Sequence, residues 1–198
     1  MLVRSVRQND VEPVVDAIVS AFAGDALIDF LFGDGWEHES HAGEFFRILL
    51  EVRVALGMPA LCAEEDGAIV GAAMGYDTSR PAWEATQTEK WARLLAAVDG
   101  LEARLHEYET LAAQFEPTQP HSYLGVIGVR AGRQGSGIGR ALLDTFCDAS
   151  EKDAKSSGVY LETANESSLR FYLKNGFELC GEGILGENTR LWCVFRAE

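Results

Sequence analysis

The residues best suited to chemistry fall in one stretch, Tyr123 to Leu143, YLGVIGVRAGRQGSGIGRALL. Its first part, Tyr123 to Val129, is an apolar run whose length and β-branched content suit a buried strand. A loop carrying Gly132, Gly135, Gly137 and Gly139 follows, and Ile138, Leu142, Leu143 and Phe146 then recur at helical spacing. Strand, glycine loop and helix have a definite electrostatic product. The first N–H groups of a helix lack partners, and the helix dipole adds partial positive charge there. Glycines let that backbone approach a ligand closely and adopt φ > 0. The result is an anion cradle, most often for phosphate, and Arg130, Arg133 and Arg140 surround it. Two common phosphate loops are excluded by residue identity. After Gly135 and Gly137, the third glycine position of the dinucleotide fingerprint holds Arg140. Gly132 and Gly137 have the spacing of the nucleoside-triphosphate loop, but Ile138 and Gly139 stand where Lys and Ser/Thr are needed.

What the loop does present is Gln134-x-x-Gly137-x-Gly139. A second block, residues 158–177, reads GVYLETANESSLRFYLKNGF: a strand ending near Asn165, then a short helix carrying Tyr172 and closing at Gly176-Phe177. The two blocks, in this order and at βαβα distance, resemble the GNAT family of N-acetyltransferases over roughly the C-terminal two fifths of the chain. The resemblance implies an α+β fold, the acyl-CoA N-acyltransferase fold, with a mixed, mostly antiparallel sheet flanked by helices. It implies acetyl-CoA as cofactor, held by Ile127, Gly128, Val129, Gln134, Gly135, Ser136, Gly137, Ile138, Gly139, Arg140, Asn165, Ser168, Phe171 and Tyr172. In the family two parallel strands splay apart near the loop. A backbone N–H near Ile127 or Val129 is then expected to meet the acetyl oxygen.

Aminolysis of a thioester needs a neutral amine, a stabilised oxyanion and a thiolate that leaves protonated. Tyr172 is the expected acid, because a phenol of pKa about 10 is well matched to an alkyl thiol. Asn165 is expected to hold a pantetheine amide or order a water, to cap the following helix, or both. The family often places a Glu at the start of the loop strand, where this chain has Tyr123. Glu162, His121 and a water relay remain as bases, and Glu162 is taken as the catalytic candidate. Leu161-Glu162-Thr163, Phe171-Tyr172-x-x-x-Gly176-Phe177, Arg190-x-Trp192-Cys193 and a long helical insert also resemble the puromycin N-acetyltransferase-like members. That implies a small-molecule amine acceptor.

The positioning elements follow from patterning. Leu2–Arg7 alternates as a strand, and Val11–Ala23 reads as a helix stopping at Gly24. Asp25–Trp36 is an apolar stretch that the family resemblance implies lines the acceptor pocket, through Phe30, Phe32 and Trp36 with Tyr123 joining them, or that packs as local core. Ser40–Leu56 reads as a second helix, ended by Pro59. Ala60–Glu64 and Ala68–Tyr76 form a hairpin around Asp66-Gly67. Trp83–Val98 and Leu101–Phe115 read as two further helices, an insert before the central strand that covers the acceptor site or only caps the sheet. A helix to about Lys155, a strand Val159–Ala164, a helix Glu166–Lys174 and a hairpin of Phe177–Gly181 with Arg190–Phe195 complete a single domain, 1–198.

Net charge is −14. Residues 123–174 are near neutral, with seven basic and six acidic side chains, whereas residues 1–122 hold eight basic and 21 acidic. That balance disfavours nucleic acid and favours cationic small molecules. Cys62, Cys147, Cys180 and Cys193 are scattered without metal-binding spacing, and no apolar run is long enough to span a membrane. The expectation is a cytoplasmic enzyme without metal, monomeric or homodimeric. A non-catalytic acyl-CoA sensor and a peptide N-acetyltransferase are the alternatives. A pocket closed by residues 83–116 favours a small acceptor, and an open groove a peptide.

Overall fold

The computed structural model describes residues 1–33 and 38–198. Its elements are β1 (Leu2–Ser5), a 3₁₀ turn (Gln8–Asp10), α1 (Val11–Ala21), α2 (Ala26–Phe32), α3 (His38–Ala55), β2 (Ala60–Glu65), β3 (Ala68–Tyr76), α4 (Ala85–Ala97) and α5 (Leu101–Ala113). They continue as β4 (Ser122–Val129), α6 (Ile138–Ser150), β5 (Gly158–Thr163), α7 (Glu166–Lys174), β6 (Glu178–Leu185) and β7 (Thr189–Ala197). One seven-stranded sheet runs in the order β1-β2-β3-β4-β5-β7-β6. Every pairing is antiparallel except β4 with β5. This is the mixed, mostly antiparallel, helix-flanked fold expected from the sequence.

Local chemistry sets most boundaries. Asp66 (φ 51°) and Gly67 (φ 79°) turn the β2–β3 hairpin in the left-handed region, as a two-residue turn matched to strand twist requires. α2 is a helix that the sequence reading left as an undivided apolar stretch. Asp25 creates it: its Oδ1 accepts the N–H groups of Leu27 (3.0 Å) and Ile28 (3.4 Å), and Gly33 ends the helix at φ 70°. α6 stops at Ser150, short of Lys155. The buried Ser150 hydroxyl is held by Ser156 Oγ at 2.8 Å and bonds to Gly158 O and Glu198 Oε1, which turns the chain into β5.

α1 and α3 cover one face of the sheet, with Val14, Ile18, Phe46 and Ile48 in one core with Met74 and Val126, and α4 packs on α3 and adds Leu94 to that core. α6 and α7 cover the other, packing Leu142, Leu143, Phe146 and Tyr172 on Leu124 and Leu161. At the far end, α2 and α5 lie over β5 and β7 around Tyr160, Leu191 and Cys193. The α5 contacts occupy one helical stripe. Arg104 Nε donates to Leu31 O (2.7 Å), Glu107 Oε1 accepts Gly186 N (2.7 Å), and Ala112 O accepts Tyr160 Oη (3.0 Å). β6 is glycine there because a Cβ on Gly183 would stand 2.5 Å from Leu111, and one on Gly181 2.0 Å from the Phe115 ring.

The feature that positions the site is a break in the sheet. β3 pairs β4 through Met74↔Val126 and then Gly75↔Leu124, so Gly125 is an extra, bulged residue. The bulge puts Leu124 and Ile127, three apart, against the same α6–α7 face. β4 pairs β5 only at Ser122↔Val159 and Tyr123↔Tyr160. Beyond Tyr123 no ladder joins them. Gly75 is held to glycine by the same irregularity, because a Cβ there would lie 1.9 Å from Tyr123 O and 2.8 Å from the Phe146 ring. Gly75→Ala therefore destabilises the fold by about 1–3 kcal/mol, lowering the calorimetric melting midpoint by roughly 2–4 °C per kcal/mol. An unchanged midpoint contradicts this packing.

Candidate active site

Where β4 and β5 part, the backbone groups on the β5 side of β4 have no strand partner. The gap opens into a cleft of about 430 Å³. Ile127, Gly128 and Val129 of β4 line it, with Gln134, Gly135, Gly137, Gly139 and Arg140 from the loop and α6, and Asn165, Ser168, Phe171 and Tyr172 from α7. Twelve of the fourteen residues expected around a cofactor thus meet at one place. The other two do not line it. Ser136 Oγ turns back to Arg133 O (2.6 Å), and the Ile138 side chain is buried beneath α6. Ile138 can offer such a ligand only its backbone.

The loop is shaped by conformation, not by crowding. Gly135 (φ 77°) and Gly137 (φ 87°) are left-handed, and a Cβ on either would meet open space. Their arrangement directs the start of α6 into the cleft, as an anion site requires. Gly128 is a case of space: a Cβ there would stand 2.8 Å from Ala21 Cβ and 3.2 Å from the Phe22 ring. The cradle, the free strand edge and the cleft fit an extended phosphate-bearing cofactor with an amide-containing arm.

Asn165 is the N-cap of α7. Its Oδ1 accepts Ser167 N (2.9 Å) and Ser168 N (3.2 Å), which leaves its NH₂ for a ligand. Tyr172 is buried on α7, its ring against Phe171 and Phe177. Its phenol makes no hydrogen bond to another described residue. Desolvation, reinforced by Asp25, pushes the phenol's pKa well above the ordinary value, so it stays protonated.

Glu162 lies on the other face of β5, among tyrosines. Tyr108 Oη donates to Glu162 Oε2 (3.0 Å) and lies 3.2 Å from Tyr123 Oη, while the Tyr123 ring stacks on Tyr160. Desolvation pushes the Glu162 carboxyl up from 4.5 to about 7, although hydrogen bonds from Tyr123 and Tyr108 oppose the rise. Of the residues expected at the acceptor, Tyr123 belongs to this cluster and Phe30 packs beside it. Phe32 does not: it is core, edge-on to Phe45. Trp36 lies outside the described residues. His121 is buried away from the cleft, its Nε2 taken by Arg80 Nη2 (2.6 Å) and Glu116 Oε1 (3.1 Å), which removes it as a base.

Four cleft residues were not foreseen: Ala21, Phe22, Asp25 and Ser167. Ser167 follows Asn165 in the recognised block. Ala21 and Phe22 from the end of α1 and Asp25 from the cap of α2 arrive through tertiary packing that no local pattern reports. Tyr108 was equally invisible, one residue in an amphipathic helix.

The sequence model of the acetyltransferase (GNAT) family matches residues 27–177. Among solved structures, the histone acetyltransferase HPA2 and related acetyltransferase from Corynebacterium glutamicum superposes with TM-score 0.73 at 22% identity, over 98% of this chain and 94% of that one. The polyamine N-acetyltransferase of Drosophila melanogaster gives 0.67 at 16% identity, over 98% and 97%. The ribosomal-protein-alanine N-acetyltransferase of Brucella melitensis gives 0.58 at 18% identity, over 100% of both chains. At these identities the likeness is one of fold.

The Glu162 environment has a measurable consequence. The folded carboxyl titrates near 7 against 4.5 when unfolded, so between those values the folded state holds the extra proton. This contribution to stability is therefore lost as pH rises from about 4.5 to about 7, and is constant above. Glu162→Gln keeps an acceptor for Tyr108 and removes the titration. Denaturant melts across this range will show the variant gaining on the wild type as pH rises. Parallel curves contradict the burial.

Proposed function

This chain belongs to the acetyltransferase (GNAT) family, and on that premise we propose that it transfers an acetyl group from acetyl-CoA to the primary amine of a small molecule by direct attack. Enzymes of the family use acetyl-CoA as donor. The observation that carries the reading is Tyr172, its phenol without a hydrogen-bond partner among the described residues, lining a cleft that also holds a left-handed glycine loop and a free strand edge.

When bound, acetyl-CoA supplies an activated thioester. Gly135, Gly137 and the start of α6 are suited to its phosphates, with Arg140 beside them. β4 amides freed by the splay are the donors available to a carbonyl in the gap, and one such donor is worth about 2.7–4 kcal/mol of barrier. Tyr172 holds the proton destined for the departing sulfur. Glu162, titrating near neutrality on the opposite face, is suited to take the proton of the amine.

A small acceptor is supported by α5. It ties α2, β5 and the β6–β7 turn together across the Glu162 side of the sheet, where a peptide would need an open groove. The insert and the Leu161-Glu162-Thr163 strand support a puromycin N-acetyltransferase-like acceptor within that class. Four unbridged cysteines support work in the reducing cytoplasm.

Thiol release from acetyl-CoA, measured over a panel of amines including puromycin and polyamines, tests the reading. Turnover is expected with at least one acceptor. Tyr172→Phe should lower it by about 10²-fold or more while leaving acetyl-CoA affinity intact; undiminished turnover removes Tyr172 from the mechanism. Gly137→Glu combines left-handed strain of about 1–2 kcal/mol with a negative charge in the cradle. Calorimetric titration should show acetyl-CoA affinity lost. Unchanged affinity would place the cofactor elsewhere.

A further inference from the structure

Asp25 is the one carboxylate among the described residues lining the cleft. Its Oδ1 receives both amides of the α2 cap, Leu27 N at 3.0 Å and Ile28 N at 3.4 Å, so the side chain is fixed in direction. Oδ2 has no partner among the described residues. Asp25 and Tyr172 line the same cleft, and the negative carboxylate opposes ionisation of the phenol. Asp29, one turn along α2, adds to the negative field at Asp25.

This charge is surplus to the other duties of the position. Asn or Ser caps a helix about as well as Asp. A carboxylate also works against an anionic cofactor in the same cleft, and it is partly desolvated there at a cost a neutral cap would avoid. A cation brought into the cleft removes both penalties.

We propose that Asp25 is the docking carboxylate for the acceptor: its free Oδ2 binds the ammonium group of a cationic primary amine as it enters the cleft that Tyr172 lines, before the nitrogen gives up its proton. The inference rests on the acetyl-transfer reading and narrows its substrate to amines that are protonated when they arrive. Asp25 acts through binding and orientation. The acidic balance of residues 1–122 draws such cations toward the site.

The test is calorimetric titration of 2-phenylethylamine and 1,4-diaminobutane into CoA-saturated protein, with 2-phenylethanol as the uncharged control. Wild type, Asp25→Asn and Asp25→Ser are compared; both variants retain the cap. Amine affinity is expected to fall about tenfold or more in each variant, the loss typical of a charged hydrogen-bonding partner. Affinity for CoA and the melting temperature should not fall in either variant, since the carboxylate opposes the anionic cofactor and is partly desolvated, and 2-phenylethanol should not distinguish the three proteins. Equal amine affinity in wild type and Asp25→Asn overturns the proposal and leaves Asp25 a helix cap, as does absence of amine binding by the wild type. Amine binding that depends on Asp25 without thiol release from acetyl-CoA sinks the acetyl-transfer reading and leaves the docking site standing.

Discussion

The structure depends on one unmade interaction. A sheet normally continues its ladder, since an unpaired backbone group away from water is costly. Here β4 and β5 exchange hydrogen bonds at two registers and then part. The parting is built in from the other edge of β4. Gly125 is extruded as a bulge, Gly75 lies tight against Tyr123 O, and α6 and α7 pack into the side where the strands diverge. A backbone edge left free in this way is satisfied by a ligand that brings its own donors and acceptors. The glycine loop and the start of α6 lie at the same cleft, so one anionic, amide-bearing ligand meets both needs.

A second constraint acts across the sheet. α5 is fastened by Arg104, Glu107, Tyr108, Leu111 and Ala112, which between them reach α2, β5, β6 and the β6–β7 turn. Its stripe closes one end of the molecule and places a phenol on Glu162. The carboxyl is pushed toward neutrality because it is enclosed, and it is enclosed because the helix lies over it. Tyr172 and Glu162 are thereby separated by the sheet, Tyr172 on the α7 face and Glu162 on the α5 face.

Local chemistry was legible in the sequence, and long-range geometry was not. The glycine loop, the N-cap Asn165, α7 and the β2–β3 turn each rest on residues adjacent in the chain, and each is where the pattern put it. α2 was missed because its aromatics read equally well as a pocket wall, although its cap, Asp25, was visible as a residue type. The face of Glu162 could not be read, because a face depends on pairing and on what covers the strand. His121 fitted a base by pKa alone; only the fold shows it clasped by Arg80 and Glu116. Phe32 lies in the core for the same kind of reason, the packing of α2 on α3.

The central claim is that the free edge of β4 and the glycine loop bind one cofactor. Hydrogen–deuterium exchange with and without acetyl-CoA tests it most directly. The account predicts slowed exchange at amides of residues 124–129 and 133–140 on binding, with the β2–β3 hairpin unchanged. Protection confined to other segments, or no protection, would contradict it.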